Sequence, residues 1–336
     1  PSDDVTLVFS FVGYVSQEVA LGGRSTIDVR LASDVQALQE VVVVGYGEQK
    51  KSDITGAVAQ VTSKDFNNGV INNPMQAVQG RVAGLVITTP NGDPNQTSPT
   101  IRLRGTSSLA ASSEPLVVID GVIGAPLNSV APEDIEKFDI LKDASSAAIY
   151  GSRGANGVII ITTKKGKAGR TTVDYNAYVG VESVARFADI LNADEFRQRA
   201  RERNITIQDL GNNTDWFREL TRTAVSHNNS LSVSGGTEKS NYRASVTYLN
   251  QPGVALNSGF DRLNARLNMN QKALNDKLDI QFLVSANTSK RNFIQYDAFR
   301  SALRINPTLP VFNEDGTFFQ PTGFEIENPV ARAAQL

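Results

Sequence analysis

The chain has 336 residues, of which 40% are hydrophobic and 20% are charged, and its formal net charge is −2. This composition excludes a disordered chain, the lack of a basic stripe argues against nucleic-acid binding, and no run of about 18 apolar residues predicts a transmembrane helix. There is no cysteine and His227 is the only histidine, so we expect no disulfide, no Cys/His metal site and no other cofactor.

Residues 1–38 show the two-residue periodicity of β-strands. Apolar residues alternate with mostly polar ones from Val5 to Phe11 and from Ile27 to Leu31, and Gly22-Gly23 signals a turn between the two runs. Two or three strands do not make a stable domain alone. Because the sequence begins at Pro1 without an initiating methionine, we expect this segment to be the remnant of a small β-sandwich domain.

Residues 39–55 differ, because the β-branched run Val41–Val44 is followed by Gly45 and Tyr46 and then by the polar Glu48–Lys51. Four consecutive valines favour an extended backbone. Short apolar runs are ambiguous, so two interpretations stay open. One is a buried strand, and the other is an exposed segment that adds a strand to the sheet of another protein.

Residues 56–168 mix short strands and helical pieces, which are separated by turn-rich stretches such as Thr89–Pro94. This mixture predicts an α+β domain with long loops. The predicted strands are Ala57–Thr62, Gly84–Thr88, Thr100–Arg104, Leu116–Asp120 and Val158–Thr163, and the predicted helices are Pro74–Gln79 and Ala144–Ile149.

From residue 171 onward, apolar and polar residues alternate in five runs, and the polar face carries arginine, asparagine, aspartate and glutamine. A globular sheet shows such a face to bulk water, whereas a large outer-membrane barrel shows it to a hydrated lumen and its apolar face to lipid. Alternation alone does not decide between them. The runs are residues 173–181, 230–234, 241–248, 262–270 and 278–287.

The connections between these runs favour the barrel. Segments 184–226 and 249–261 are long, whereas 235–239 and 271–277 are short, as in barrels with long extracellular loops and short periplasmic turns. Residues 169–336 are therefore predicted to form the first strands and extracellular loops of a transmembrane β-barrel. An open sheet edge is not tolerated in lipid, so we expect further strands downstream.

Three arginines and one Asp-Gly pair are candidate functional residues of the α+β domain. Arg81, Arg102 and Arg104 could contact a cargo or switch a contact of the domain, or they could form structural ion pairs with carboxylates of the barrel wall. The structural interpretation is favoured because such charge networks are common. Asp120 followed by Gly121 is interpreted as a turn at the end of a strand.

No group of residues indicates an enzyme. Gly151, Gly154 and Gly157 lack the spacing of a nucleotide-binding loop, and no P-loop lysine follows them, so a structural turn is favoured. His227 has no orienting carboxylate close to it in the sequence. We therefore predict no catalytic residue.

Several long blocks, in a fixed order, resemble SusC/RagA-type TonB-dependent outer-membrane transporters. The first two resemble the end of a carboxypeptidase-regulatory-like domain and the TonB box, the next four resemble the plug, and the last resembles an early extracellular region. The blocks are STIDVRLASDVQAL, QEVVVVGYGEQKKSDIT, NPMQAVQGRVAGLVI, IRLRGTSSL, PLVVIDGV, IEKFDILKDASSAAIYGSRGANGVIIITTKKG and NPTLPVFNEDG.

The resemblance implies four segments: 1–38 is the end of the regulatory-like domain, 39–55 is the TonB box and linker, 56–168 is the plug, and 169–336 begins the barrel. In this family the plug closes the lumen of a large barrel in the bacterial outer membrane. That membrane has no ATP, so periplasmic TonB pairs with the box and pulls.

The resemblance also implies the partners. TonB is expected to bind Val41–Val44, Gly45 and Tyr46. A SusD-like surface lipoprotein is expected to act as a lid, the barrel is surrounded by outer-membrane lipid, and the usual cargo is an oligosaccharide.

Alternatives remain: oligopeptide import by a RagA-like branch, a siderophore or cobalamin receptor, a binding-only receptor, and a secreted β-rich adhesin or enzyme domain. The regulatory-like domain ahead of the TonB box and the NPTLPVFNEDG block favour the SusC/RagA branch.

Overall fold

The chain forms two compact units, Pro1–Thr55 and Gly56–Leu336. Among the described residues, no helix has both the length and the apolar character needed to cross a membrane. The computed structural model describes residues 6–9, 17–20, 27–30, 41–44, 47–50, 58–67, 69–89, 92–95, 99–103, 105, 113–142, 148–321 and 327–334.

The first unit contains two antiparallel hairpins in its described part. Strand β1 (Thr6–Phe9) pairs with β2 (Gln17–Ala20), and β3 (Val41–Val44) pairs with β4 (Gly47–Lys50). The strand expected from Ile27 to Leu31 is not present over residues 27–30, although apolar positions there are half-buried and polar ones exposed.

The α+β domain is built on a five-stranded mixed sheet. The central strand, β11 (Val158–Thr163), is buried along its whole length, as expected of a β-branched run with neighbours on both sides. It runs parallel to β8 (Leu116–Ile119) and antiparallel to β10 (Ile135–Leu141). The sheet order is β5 (Val58–Thr62), β10 (Ile135–Leu141), β11 (Val158–Thr163), β8 (Leu116–Ile119) and β9 (Val122–Ile123), and a separate antiparallel pair is formed by β6 (Leu85–Thr88) and β7 (Thr100–Leu103).

Strand β10 was not predicted from the sequence because acidic residues interrupt its apolar pattern. Asp139 is fully buried on it, where it forms an ion pair with Lys137 (3.0 Å) and accepts a hydrogen bond from the Gln60 side chain (2.7 Å). A buried charge with such partners is compatible with a strand interior, so the charge that argued against a strand is neutralised within the sheet.

The helices of this domain are shorter and tighter than predicted. The one predicted at Pro74–Gln79 is a 3-10 helix over Pro74–Val78, begun by the Asn73 side chain, which accepts from the Met75 backbone N–H at 2.9 Å. Of the predicted helix at Ala144–Ile149, residues 143–147 lie outside the described residues, and a kinked 3-10 segment follows at Ala148–Gly154.

The five alternating runs form one antiparallel sheet in sequence order, which confirms the prediction for this region. We call it the wall sheet. The connection predicted to be long at 249–261 is only residues 253–258, because both flanking strands extend into it. The strands are β12 (Gly169–Glu182), β13 (Ala224–Gly236), β14 (Ser240–Pro252), β15 (Gly259–Ala273) and β16 (Leu278–Asn292).

The two faces of the wall sheet have opposite chemistry. Apolar side chains on one face are exposed, including Val179 (70%), Tyr175 (64%) and Phe282 (54%). Polar side chains on the other face are buried against the α+β domain, and they include Ser226, Asn228, Ser230, Ser232, Thr247, Asn264 and Asn268. This is the arrangement of a barrel wall with a polar interior and an apolar exterior.

The long connections at one end of the wall sheet pack together as a helical lobe, residues 183–223 with 293–321 and 327–334. Its centre is Trp216, which is 1% exposed and donates its ring N–H to the Asn306 carbonyl (3.2 Å). The helices are α1 (Ala193–Glu202), α2 (Trp216–Glu219), α3 (Tyr296–Ala302) and α4 (Pro329–Ala334).

Candidate functional site: the interface between the α+β domain and the wall sheet

A buried ion pair joins the α+β domain to the wall sheet. Asp120 follows β8 in a left-handed conformation (φ 46°) and Gly121 (φ 86°) continues the turn, as the Asp-Gly pair predicts. The Asp120 carboxylate accepts from the Thr163 backbone N–H (2.9 Å) and hydroxyl (2.7 Å) and pairs with Arg266 of β15. The Asp120 and Arg266 side chains are 2% and 7% exposed, so the pair is shielded from water.

A second pair lies where β10 begins. Asp134 pairs with Arg243 of β14 at 3.3 Å and accepts from the Ser245 hydroxyl at 2.8 Å. Its side chain is 4% exposed. Asp134 belongs to a 3-10 turn, Pro132–Asp134, whose proline fixes the backbone just before the acidic residues, so the turn directs this carboxylate at the wall sheet.

The neighbouring Glu133 also faces the wall sheet. The Asn228 amide donates to its carboxylate, and burial raises the pKa of the Glu133 carboxyl, an effect that the positive charge of Arg262 partly offsets. Arg262 itself donates to the Asn72 carbonyl at 2.7 Å. The Lys164 ammonium donates to the Glu133 backbone carbonyl at 2.7 Å, and burial lowers the pKa of Lys164.

A third contact lies near the helical lobe. The Asn95 amide donates to the Asn292 carbonyl at the end of β16 (2.7 Å), and the Tyr296 hydroxyl donates to Asp93 (3.2 Å). The α+β domain is therefore held at the lobe end of the wall sheet as well as along its middle.

The chemistry of this interface allows separation. Its wall side is polar, so moving the domain away exposes little apolar surface to water, and the hydrophobic effect does not oppose the motion strongly. Several buried polar atoms there, including both amide atoms of Asn264 and Asn268 and the Arg266 Nε, have no hydrogen-bond partner among the described residues. The contacts that join the two in the described residues are hydrogen bonds and ion pairs, and a substitution that removes one partner of a buried ion pair costs about 3–5 kcal/mol.

The candidate arginines of the α+β domain lie elsewhere. Arg81 is exposed and donates to the Asn67 side chain (3.0 Å), Arg102 is exposed on β7, and Arg104 lies outside the described residues. Within the described ranges, neither Arg81 nor Arg102 pairs with the wall sheet. The charges are reversed relative to the expectation: the α+β domain supplies the carboxylates and the wall sheet supplies the arginines.

Of the two sides of this interface, only the wall side could be predicted from the sequence. The alternation of the predicted strands places Arg243, Arg262 and Arg266 on their polar face, so the face on which these side chains lie could be predicted. Glu133 and Asp134 carried no such signal, because their position depends on β10, which was not predicted.

The remaining candidate residues lie outside this interface or outside the described residues. His227 lies on β13, its ring 5.9 Å from that of Tyr248. Val41–Val44 form β3, whereas Gly45 and Tyr46 lie outside the described residues. Within the described ranges, no three acidic or histidine side chains are grouped in a way that could hold a metal ion.

The comparisons with known proteins agree with this architecture. A family model for the TonB-dependent receptor plug domain matches residues 50–158. The TonB-dependent receptor SusC of Bacteroides thetaiotaomicron is 39% identical over 96% of this chain and 33% of its own length. The TonB-dependent receptor P3 of Formosa agariphila is 36% identical over 100% of this chain and 34% of its own length.

A solved structure of the RagAB peptide importer in its open-open state superposes with a TM-score of 0.77 and 28% identity, covering 87% of this chain and 38% of that chain. The chain spans about a third of the length of the curated relatives it matches. With a plug-domain match, relatives at this identity and a polar-lined wall sheet around the α+β domain, the chain belongs to the SusC/RagA family of TonB-dependent outer-membrane transporters, with the α+β domain as its plug and the wall sheet as the first part of its barrel.

Proposed function

We propose that the whole protein imports oligosaccharides across the bacterial outer membrane, driven by TonB and assisted by a SusD-like surface lipoprotein. The observation that carries this proposal is the interface between plug and wall sheet. It is polar, ion-paired and covers the wall face that would line a transport path, so a pull on the plug can open that path without exposing an apolar core.

The energy enters through the segment ahead of the plug. TonB binds Val41–Val44 with Gly45 and Tyr46 and pulls on the chain that leads into β5. This assignment is supported by the extended conformation of Val41–Val44 and by the ability of the edge of a strand to pair with another sheet.

The cargo is proposed as an oligosaccharide because the resemblance is to the SusC/RagA branch and a relative at 39% identity is a SusC receptor. Oligopeptides are the second candidate, favoured by the fold similarity to the RagAB peptide importer. A siderophore or cobalamin receptor has less support from these relatives. We propose no catalytic role for the chain.

The proposal is tested in the native organism with the full-length gene deleted and then restored. Cells carrying the restored gene should grow on an oligosaccharide mixture as sole carbon source, and deleted cells should not. If the deleted cells fail to grow only on a peptide mixture, the cargo is a peptide and not a glycan. If they grow normally on both mixtures, the proposal of nutrient import is contradicted.

A variant with Val42→Pro and Val43→Pro together tests the energy coupling, because it removes two backbone donors from the proposed TonB segment. It should abolish growth on the cargo while the protein still inserts and still co-purifies with its lipoprotein. The control is Val42→Ile with Val43→Ile, which keeps both donors and the β-branched shape. Normal growth of the proline variant would show that the coupling segment lies elsewhere in the chain. Purification without a lipoprotein would contradict the proposed lipoprotein partner.

A further inference from the structure

The exterior face of the wall sheet, which carries the exposed apolar side chains, becomes polar towards the lobe end. On β14 the exterior side chains are, in chain order, Tyr242, Ala244, Val246, Tyr248 and Asn250. Outer-membrane barrels carry aromatic residues at both borders of their lipid-facing apolar band. The level of Tyr248 therefore marks the border of the acyl layer on the lobe side.

The register of the strands carries this level across the sheet. Asn229 of β13 faces Tyr248 on one side and Ala177 of β12 on the other. One step nearer the lobe, His227 of β13 faces Asn250. The long connections of outer-membrane barrels are extracellular, so Asn229 and His227 lie at the outer leaflet of the membrane.

These two exterior side chains have unpaired polar groups. Asn229 accepts a hydrogen bond from the Tyr175 hydroxyl at 2.6 Å, but its amide N–H groups have no acceptor in the part of the chain that the structure describes. The ring nitrogens of His227 likewise make no hydrogen bond to a described residue. The neighbouring Asn250, by contrast, donates to Asp261 at 2.5 Å. Asn229 and His227 are therefore available to a partner outside the sheet.

A further strand of the sheet cannot satisfy these groups. Strand β13 has β12 on one side and β14 on the other, and all three strands are described over their whole length. A partner must therefore approach from the exterior, where the surroundings of a barrel are lipid. Water is scarce at the border of the acyl layer, so polar groups left unpaired there are costly.

We propose that Asn229 and His227 bind one molecule of lipopolysaccharide, the lipid of the outer leaflet, on the exterior of the wall sheet. Lipopolysaccharide carries amide, ester and hydroxyl groups where its acyl chains join the sugar headgroup. The Asn229 amide and the His227 ring supply N–H donors for the carbonyl oxygens of that region, and the rings of Tyr175 and Tyr248 cover the adjoining acyl chains. The inference is independent of the proposed cargo and of the proposed energy coupling.

The first test measures how much lipopolysaccharide stays on the full-length receptor after purification from native outer membranes and thorough washing in mild detergent. By native mass spectrometry, the unmodified receptor should retain a single molecule per chain. His227→Leu with Asn229→Leu should weaken retention at least about tenfold, which corresponds to about 1.4 kcal/mol. Gln271→Leu is the matched control, because it removes an exterior polar side chain at the opposite end of the wall sheet, and it should retain the lipid normally.

The second test compares heat unfolding of the reconstituted receptor in phospholipid vesicles with and without lipopolysaccharide. A lipid that binds only the folded wall raises the unfolding temperature. Lipopolysaccharide should raise it for the unmodified receptor and for Gln271→Leu, but not for the double variant. In phospholipid alone the double variant should be at least as stable as the unmodified receptor, because leucine suits a lipid-facing position. Loss of the lipopolysaccharide effect is then not a folding defect.

Two results would overturn the inference. Equal retention and equal temperature shifts in all three proteins would show that lipopolysaccharide surrounds the barrel without a specific site. A change from two associated copies to one in the double variant would show that a second copy of the chain, and not a lipid, satisfies these groups. Neither result bears on nutrient import, which the growth experiment tests separately.

Discussion

The ion pair between Asp120 and Arg266 should behave as one coupled unit in the docking of the plug. Both side chains are nearly inaccessible, at 2% and 7% exposed, so solvent screening does not weaken their interaction. Removing one partner of a buried pair costs about 3–5 kcal/mol, because the other charge is left uncompensated. The loss of stability caused by Arg266→Met should be at the lower end of this range, about 3 kcal/mol, because Asp120 keeps its two hydrogen bonds from Thr163.

The reciprocal change, Asp120→Asn, leaves the Arg266 guanidinium buried without a counter-charge. Asparagine keeps the side-chain shape and tolerates the left-handed backbone at this position (φ 46°), so the loss reports the charge together with the one carboxylate oxygen that becomes an amide donor. The double variant has no unpaired charge. Its destabilisation should therefore be smaller than the sum of the single effects, with a coupling of about 2 kcal/mol.

The assay is the urea concentration at which the plug of the full-length receptor becomes sensitive to protease. Arg81→Met is the matched control, because Arg81 is exposed and its hydrogen bond among the described residues is to Asn67 within the plug. The urea midpoint of this variant should not shift. Additive effects of the two single changes, with a coupling below about 0.5 kcal/mol, would refute the view that this pair holds the plug to the wall.

Three further predictions follow. Gly166→Ala should lower the yield of heat-resistant folded barrel on gels, because an added Cβ would lie 2.2 Å from the Tyr242 carbonyl oxygen, whereas Gly259→Ala should not; equal yields would contradict the packing argument. Burial raises the pKa of the Glu133 carboxyl above 4.5, so plug stability should fall as pH rises from that value through the raised pKa. Urea titrations over a pH series should show that plug stability depends less on pH in Glu133→Gln. The same pH dependence in both proteins would show that Glu133 is not the group responsible. Trp216→Ala should destabilise the helical lobe by about 3–5 kcal/mol, which faster hydrogen exchange in α3 and α4 would report; equal acceleration in β10 would show that the lobe is not a separate packing unit.

The wall sheet could be predicted from the sequence because its signal is local. Each strand alternates over its own length, and the polar face stays polar because it meets the hydrophilic surface of the plug. The ends of the strands were harder to predict than their existence. Strand β14 continues to Pro252 and β15 starts at Gly259, since polar side chains at the strand ends pair with each other, as Asn250 does with Asp261 (2.5 Å).

The plug interface could not be predicted because its partners are far apart in the chain. Asp120 meets Arg266 only after β8 has paired in parallel with β11 and β11 has continued into β12. Arginines in the plug were easier to notice than Glu133 and Asp134, whose turn precedes a strand with an atypical pattern. The sequence therefore predicted charged contacts between plug and wall with the arginines in the plug, whereas the described pairs have carboxylates in the plug and arginines in the wall.

The order of strands in the plug sheet has a mechanical consequence. Strand β5 is the first strand of the plug after the proposed TonB segment, and among the described residues it pairs only with β10, at the edge of its sheet. Tension applied upstream therefore loads a peripheral strand held by a single ladder, while β11, buried between two neighbours, is joined through residues 164–168 to the wall. Under the proposed pull, strain is therefore greatest at the most weakly held strand of the plug, whereas the strand that leads into the wall is held on both sides.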